Sequence, residues 1–112
     1  MKDTGKEKQM AEFMKVAQTS EVAPGQIIFV QAGGKDISLL NLNGQFYAVS
    51  DICSHEECNM SDGGELEGES IICPCHASAF NVHTGAVESP PATEPIETYP
   101  VKVEGTDILV SA

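Results

Sequence analysis

Two short segments hold most of the side chains able to do chemistry. Cys53-Ser54-His55 has Cys58 behind it, and Cys73-Pro74-Cys75-His76 follows after residues 56–72. Each segment offers a thiolate and an imidazole close together. Two cysteines and two histidines can hold one tetrahedral zinc, or two sulfide-bridged irons with thiolates on one and imidazoles on the other. Zinc fingers pair like with like, because each pair clamps the metal from one turn or helix, whereas here both segments mix the types. All four cysteines fall within residues 53–75, which indicates a local site rather than a framework stapling distant parts of the chain.

Positioning these segments requires rigid elements, and the sequence supplies strands. Pro24-Gly25 precedes an expected strand over 26–32, Gly33-Gly34 one over 35–42, and Asn43-Gly44 is a type I′ hairpin signal before 45–50. Further strands are expected over 70–73, 79–83, 98–103 and 107–110, separated by Gly63-Gly64, Thr84-Gly85, Pro90-Pro91 and Gly105. Met10, Phe13, Met14 and Ala17 fit a helical face, but the stretch is short and uncapped, so 13–16 is read as a strand. Many short strands with such turns imply an all-β sandwich or barrel. Residues 1–9 carry almost nothing apolar and are expected to be a flexible tail, leaving 10–112 as a single domain.

Six basic against 17 acidic residues give a net charge of −11, the opposite of a nucleic-acid-binding footprint. A content of 41% hydrophobic residues suits one compact core. No stretch approaches the ~20 apolar residues of a membrane span. The opening MKDTGKEKQM lacks the apolar run of a secretory signal, so a soluble, cytoplasmic protein is expected. A monomer is also expected.

The mixed pattern C-x-H then C-x-x-H, opened by a strand and followed by Ser78 and Phe80, resembles the Rieske [2Fe-2S] proteins. The resemblance extends over residues 12–111 and takes in the 43–49 hairpin, Gly63-Gly64 and Thr84-Gly85. It implies a Rieske-type antiparallel β-sandwich or barrel with a small cluster-binding subdomain of two loops, about residues 51–82. It also implies one [2Fe-2S] cluster per chain, with Cys53 and Cys73 on one iron and His55 and His76 on the other. In such a cluster the charges of iron, sulfide and thiolate cancel when oxidised, and one electron leaves a single negative charge. Neutral imidazoles tolerate that electron better than thiolates, which places Rieske potentials at roughly −150 to +300 mV. The expected function is a soluble one-electron carrier, not an enzyme, whose potential falls at high pH as the imidazoles lose protons.

The resemblance assigns the remaining cysteines, Cys58 and Cys75, to a disulfide between the two loops, as in Rieske proteins of respiratory complexes. Ser78 matches a serine that donates to a bridging sulfide in the high-potential group, and Phe80 stands where that group has a tyrosine. Pro91 and its neighbours resemble the loop that covers such clusters. The closest subgroup by these features is the soluble, high-potential, sulredoxin-like one, with an intermediate to high potential. Ferredoxins that donate electrons to aromatic-ring oxygenases are the alternative; they match in length but usually lack the second cysteine pair. A self-contained oxygenase needs two further histidines for a mononuclear iron, and only His83, read as an exposed strand end, remains. A zinc-binding structural module is the last alternative. Expected partners are a reductase and an electron acceptor, with Glu56-Glu57 able to steer a basic docking surface.

Overall fold

Alternating side chains and glycine turns produce eleven strands among the described residues, 13–54, 58–75 and 77–112, of the computed structural model. In chain order they are β1 (Phe13–Gln18), β2 (Ile27–Ala32), β3 (Lys35–Leu42), β4 (Gln45–Ser50), β5 (Glu65–Glu67), β6 (Ser70–Ile72), β7 (Ala79–Asn81), β8 (Val87–Ser89), β9 (Thr98–Tyr99), β10 (Val101–Glu104) and β11 (Asp107–Ser111). They form three antiparallel sheets, β1-β11-β10, β2-β3-β4-β9 and β5-β6-β7-β8. The all-β antiparallel expectation holds. The expected tail, residues 1–9, lies outside the described residues.

The middle sheet owes its register to turn chemistry. Asn43 and Gly44 both take positive φ, 55° and 93°, the requirement of a type I′ turn, and this aligns Leu42 with Gln45 and Ile37 with Ser50. Side chains on a strand alternate in direction, and β3 is buried from Ile37 to Asn41, so both of its faces are covered. Ile37 and Leu39 enter a core with Ala48, Ile108 and Val110 from β4 and β11. Leu40 and Val49 point the other way, into a core with Cys53, Cys73, Ile71 and Phe80. Burying each such large apolar side chain stabilises the fold by about 1.5–3 kcal/mol, so β3 and β4 join the core that holds the cysteines to the core shared with β11.

Two differences from the sequence reading have physical causes. The expected strand over 98–103 is split at Pro100, which has no N–H to donate. Thr98 and Tyr99 pair with β4, while Val101–Glu104 pairs with β11, so the chain changes sheet at the proline. Glu65–Glu67, where no strand is expected from the sequence, supplies β5, and Val87–Ser89 supplies β8. Each has three residues, too few to show a period, and both form because β6 and β7 offer edges to pair with. Gly85 (φ +80°) lets the chain return there: a Cβ would strike the carbonyl oxygen of Ile96, whose N–H donates to Gly85 O at 3.0 Å.

Candidate metal centre

The first loop leaves β4 at Asp51 and returns at Asn59. It is closed by an isolated bridge between Ile52 and Asn59 and by Cys53 N–H donating to Cys58 O at 3.0 Å. The second loop joins β6 to β7. Cys73 N–H donates to Ser78 O at 2.8 Å, and Ala77 N–H donates to Cys73 O at 3.0 Å. That tight closure holds Ala77 at φ 62°, a left-handed conformation that costs a non-glycine residue energy.

A third loop, residues 90–95, fastens onto both. Ser54 Oγ donates to Glu94 O at 2.5 Å, and Ala92 N–H donates to the Ser78 hydroxyl oxygen at 3.0 Å. The proline segment thus touches the chain beside each ligand segment. Ser78 is fully buried, and because its oxygen accepts from Ala92, its own proton is left for a second partner.

Cys53 and Cys73, 3% and 1% exposed, carry thiols outside any disulfide and share one apolar core with Met60, Ile71, Phe80 and Ala92. Cys58 and Cys75 are joined by a disulfide across the two loops. The sulfurs of Cys58, Cys73 and Cys75 lie within 4.8 Å of one another, but a disulfide sulfur is no thiolate, so this group places the bridge beside Cys73 without itself holding a metal. His55 and His76 lie outside the described residues, as does the Glu56-Glu57 pair. What is described fits a two-iron cluster: two thiols on two loops, shielded from water, with the loops bound together covalently. Phe80 packs fully buried in the same core, where it has no hydroxyl to donate.

Three residues that the sequence reading passed over shape the first loop. Asp51 and Asn59 bond to each other at its base, and Ser54 ties it to Glu94. An aspartate between a strand and a ligand segment is the only signal that pointed to them. His83 sits apart from the loops. Exposed, it stacks edge-on against Tyr47 at 4.7 Å, with Nε2 3.5 Å from a Glu69 carboxylate oxygen, and lines a surface cleft of about 570 Å³ with Tyr99 and Thr98. Burial, then the Glu97 carboxylate that accepts its hydroxyl, push the Tyr99 phenol well above its usual range.

Charge is divided unevenly. Residues 51–96 contain nine acidic residues and no lysine or arginine. The described lysines, Lys15, Lys35 and Lys102, lie on β1, β3 and β10, beside Asp107, Glu97 and Glu104 at 3.3, 4.0 and 3.2 Å. On the β5–β8 sheet Ser70 Oγ and Asn81 Nδ2 both donate to the exposed Glu88 carboxylate, Ser70 having the larger effect, and hold its pKa below the usual value. No helix among the described residues is long and apolar enough to cross a membrane.

Comparison with known proteins bears directly on this geometry. The model of the Rieske [2Fe-2S] domain matches residues 12–100. The biphenyl dioxygenase ferredoxin subunit of Pseudomonas sp. (strain KKS102) is 40% identical over 98 residues, 88% of this chain and 90% of that protein. Among solved structures, the ferredoxin of carbazole 1,9a-dioxygenase from Nocardioides aromaticivorans IC177 superposes with a TM-score of 0.85 at 32% identity, covering 90% of this chain and 98% of that one. A ferredoxin from a complex of reduced oxygenase and oxidised ferredoxin in carbazole 1,9a-dioxygenase gives a TM-score of 0.82 at 36% identity, covering 88% and 92%. Two shielded thiols on bridged loops, in a chain that these carriers match nearly end to end, have one reading: the chain belongs to the Rieske [2Fe-2S] family and is a ferredoxin-type carrier of single electrons on a Rieske cluster.

Proposed function

We propose that the chain is the ferredoxin of an aromatic-ring dioxygenase system, taking single electrons from a reductase and passing them to an oxygenase. The observation that carries this reading is the likeness to the biphenyl dioxygenase ferredoxin over 90% of that protein's length. In this reading Cys53 and Cys73 hold one iron, His55 and His76 hold the other, and the bound cluster supplies a reversible one-electron store. The domain spans residues 10–112, and the carrier is a cytoplasmic monomer. The test is a reconstituted assay with a reductase and an aromatic-ring dioxygenase oxygenase: adding this chain restores substrate oxidation. A chain that is reduced yet never delivers electrons overturns the reading.

A carrier must find its partners by diffusion, and the uneven charge favours a basic docking surface on them. Opposite charges speed encounter, and salt screens them. Electron transfer to the oxygenase is expected to slow several-fold between 0.05 and 0.5 M salt, and Glu67→Gln with Glu88→Gln should flatten that dependence. A rate indifferent to salt sinks the docking account.

The disulfide and Ser78 favour an intermediate to high potential. Added charge on the cluster strengthens any hydrogen bond it accepts, so the Ser78 hydroxyl favours the reduced form, and Phe80 withholds a second such donor. A hydrogen bond to a charged group is worth about 1.5–3 kcal/mol, which converts to roughly 60–130 mV for one electron. Ser78→Ala should lower the potential by that order and Phe80→Tyr should raise it; redox titration that finds neither shift removes the hydrogen-bond explanation. Repeated across pH, the same titration reads proton coupling at His55 and His76 as a potential that falls with rising pH.

A further inference from the structure

Asp51 is the one carboxylate among the described residues that is fully buried. Its Oδ1 accepts Ser38 Oγ–H from β3 at 2.7 Å and Ser61 N–H at 2.8 Å, and its Oδ2 accepts Asn59 Nδ2–H at 2.5 Å. All three donors are neutral groups, and each gives its proton to the carboxylate. The backbone of the same residue adds two bonds: Asp51 N–H donates to Asp36 O at 3.0 Å, and Met60 N–H donates to Asp51 O at 2.7 Å. One residue therefore ties the exit of β4 to β3 and to residues 59–61, the returning limb of the loop that carries Cys53.

We propose that Asp51 is a positioning residue for electron transfer, which locks the first ligand loop at its base and whose buried negative charge, two residues from Cys53, lowers the potential of the cluster. The inference rests on Cys53 as a ligand. Two residues of chain span at most ~7 Å between Cα atoms, short enough for a buried charge to act with little screening by solvent. A negative charge near a redox centre opposes the arriving electron, and the neutral donors around it reduce that effect in proportion to their dipoles. The charge and its donors therefore act with opposite signs, which a purely structural role would not do.

The experiment uses the full-length, cluster-loaded protein. Asp51→Asn keeps size and shape and removes the charge, so the potential should rise by about tenfold in the reduction equilibrium. Ser38→Ala leaves the charge and removes one donor, so the potential should fall. Potentials that stay in place, or that both move the same way, overturn the charge account. Should Asp51→Asn fail to take up the cluster, Ser38→Ala decides alone: a fall supports the proposal and no shift overturns it. The locking half is read without redox chemistry, by hydrogen exchange at the Ser61 amide, which should accelerate in Asp51→Ala; unchanged exchange overturns it. A wild-type chain with no reducible iron would instead refute the cluster reading itself.

Discussion

Cys73→Ser is expected to yield a colourless protein without the Rieske EPR signal. Cys73 is 1% exposed, and its thiol shares a core with Cys53, Ile71 and Phe80, so no water is at hand to replace a lost ligand. Serine is nearly the same size but keeps its proton at neutral pH and offers iron a hard, weakly bound oxygen. The backbone bonds from Cys73 N–H to Ser78 O and from Ala77 N–H to Cys73 O do not involve the side chain, and so the loop itself can still close. Two consequences are expected together: iron content falls to background, and the melting temperature drops because metal binding and folding are linked. Burying a hydroxyl without a partner costs a further ~1–3 kcal/mol. Iron analysis and circular dichroism check both; a variant that retains the full cluster removes Cys73 from the ligand set.

The sequence exposes those parts of the fold whose causes are local. Asn43-Gly44 reads as a hairpin because only residues tolerant of positive φ fit a type I′ turn, and β3 and β4 appear at the expected limits of 35–42 and 45–50. What escapes it depends on partners distant in sequence. Glu65-Leu66-Glu67 has one apolar side chain and no visible period; it becomes a strand only because β6 lies beside it. The alternation from Thr98 to Val103 runs unbroken through Pro100, and nothing local states that its two halves join different sheets. Asp51 likewise resembles an ordinary turn residue until Ser38, Asn59 and Ser61 converge on it.

The site divides along the same line. Ligand type and spacing are properties of two short segments, and they name the cluster. Choosing among carriers is different, because the second cysteine pair and Ser78 draw toward the high-potential subgroup, while identity spread over 98 residues draws toward dioxygenase ferredoxins. A few residues around the metal set its potential, whereas the remaining surface determines which proteins it meets. The two signals can therefore point to different relatives without contradiction. On the proposed reading, docking surface and redox tuning come from separate parts of the sequence.

Removing the bridge tests that separation most strongly. The disulfide closes a loop between Cys58 and Cys75, a sequence separation of 17, and joins the two ligand loops at one point beside the Cys73 sulfur. Limiting the unfolded chain with a loop of that length is worth about 3 kcal/mol. For a domain of about this size, that lowers the melting temperature on the order of 10 °C. The Cys58→Ser, Cys75→Ser double variant should lose its cluster several-fold faster in the presence of a chelator, since the loops then depend on Ser54, Ser78 and the proline segment alone to stay together. Cys75 is exposed, so a reductant can reach the bridge in the wild-type protein and should reproduce the faster loss, reversibly on reoxidation. On the proposed docking account, delivery of electrons should survive for as long as the cluster does, because Glu67 and Glu88 are untouched. Equal cluster lifetimes with and without the bridge would mean that the hydrogen bonds to residues 92 and 94 already hold the loops, and that the disulfide serves the potential instead.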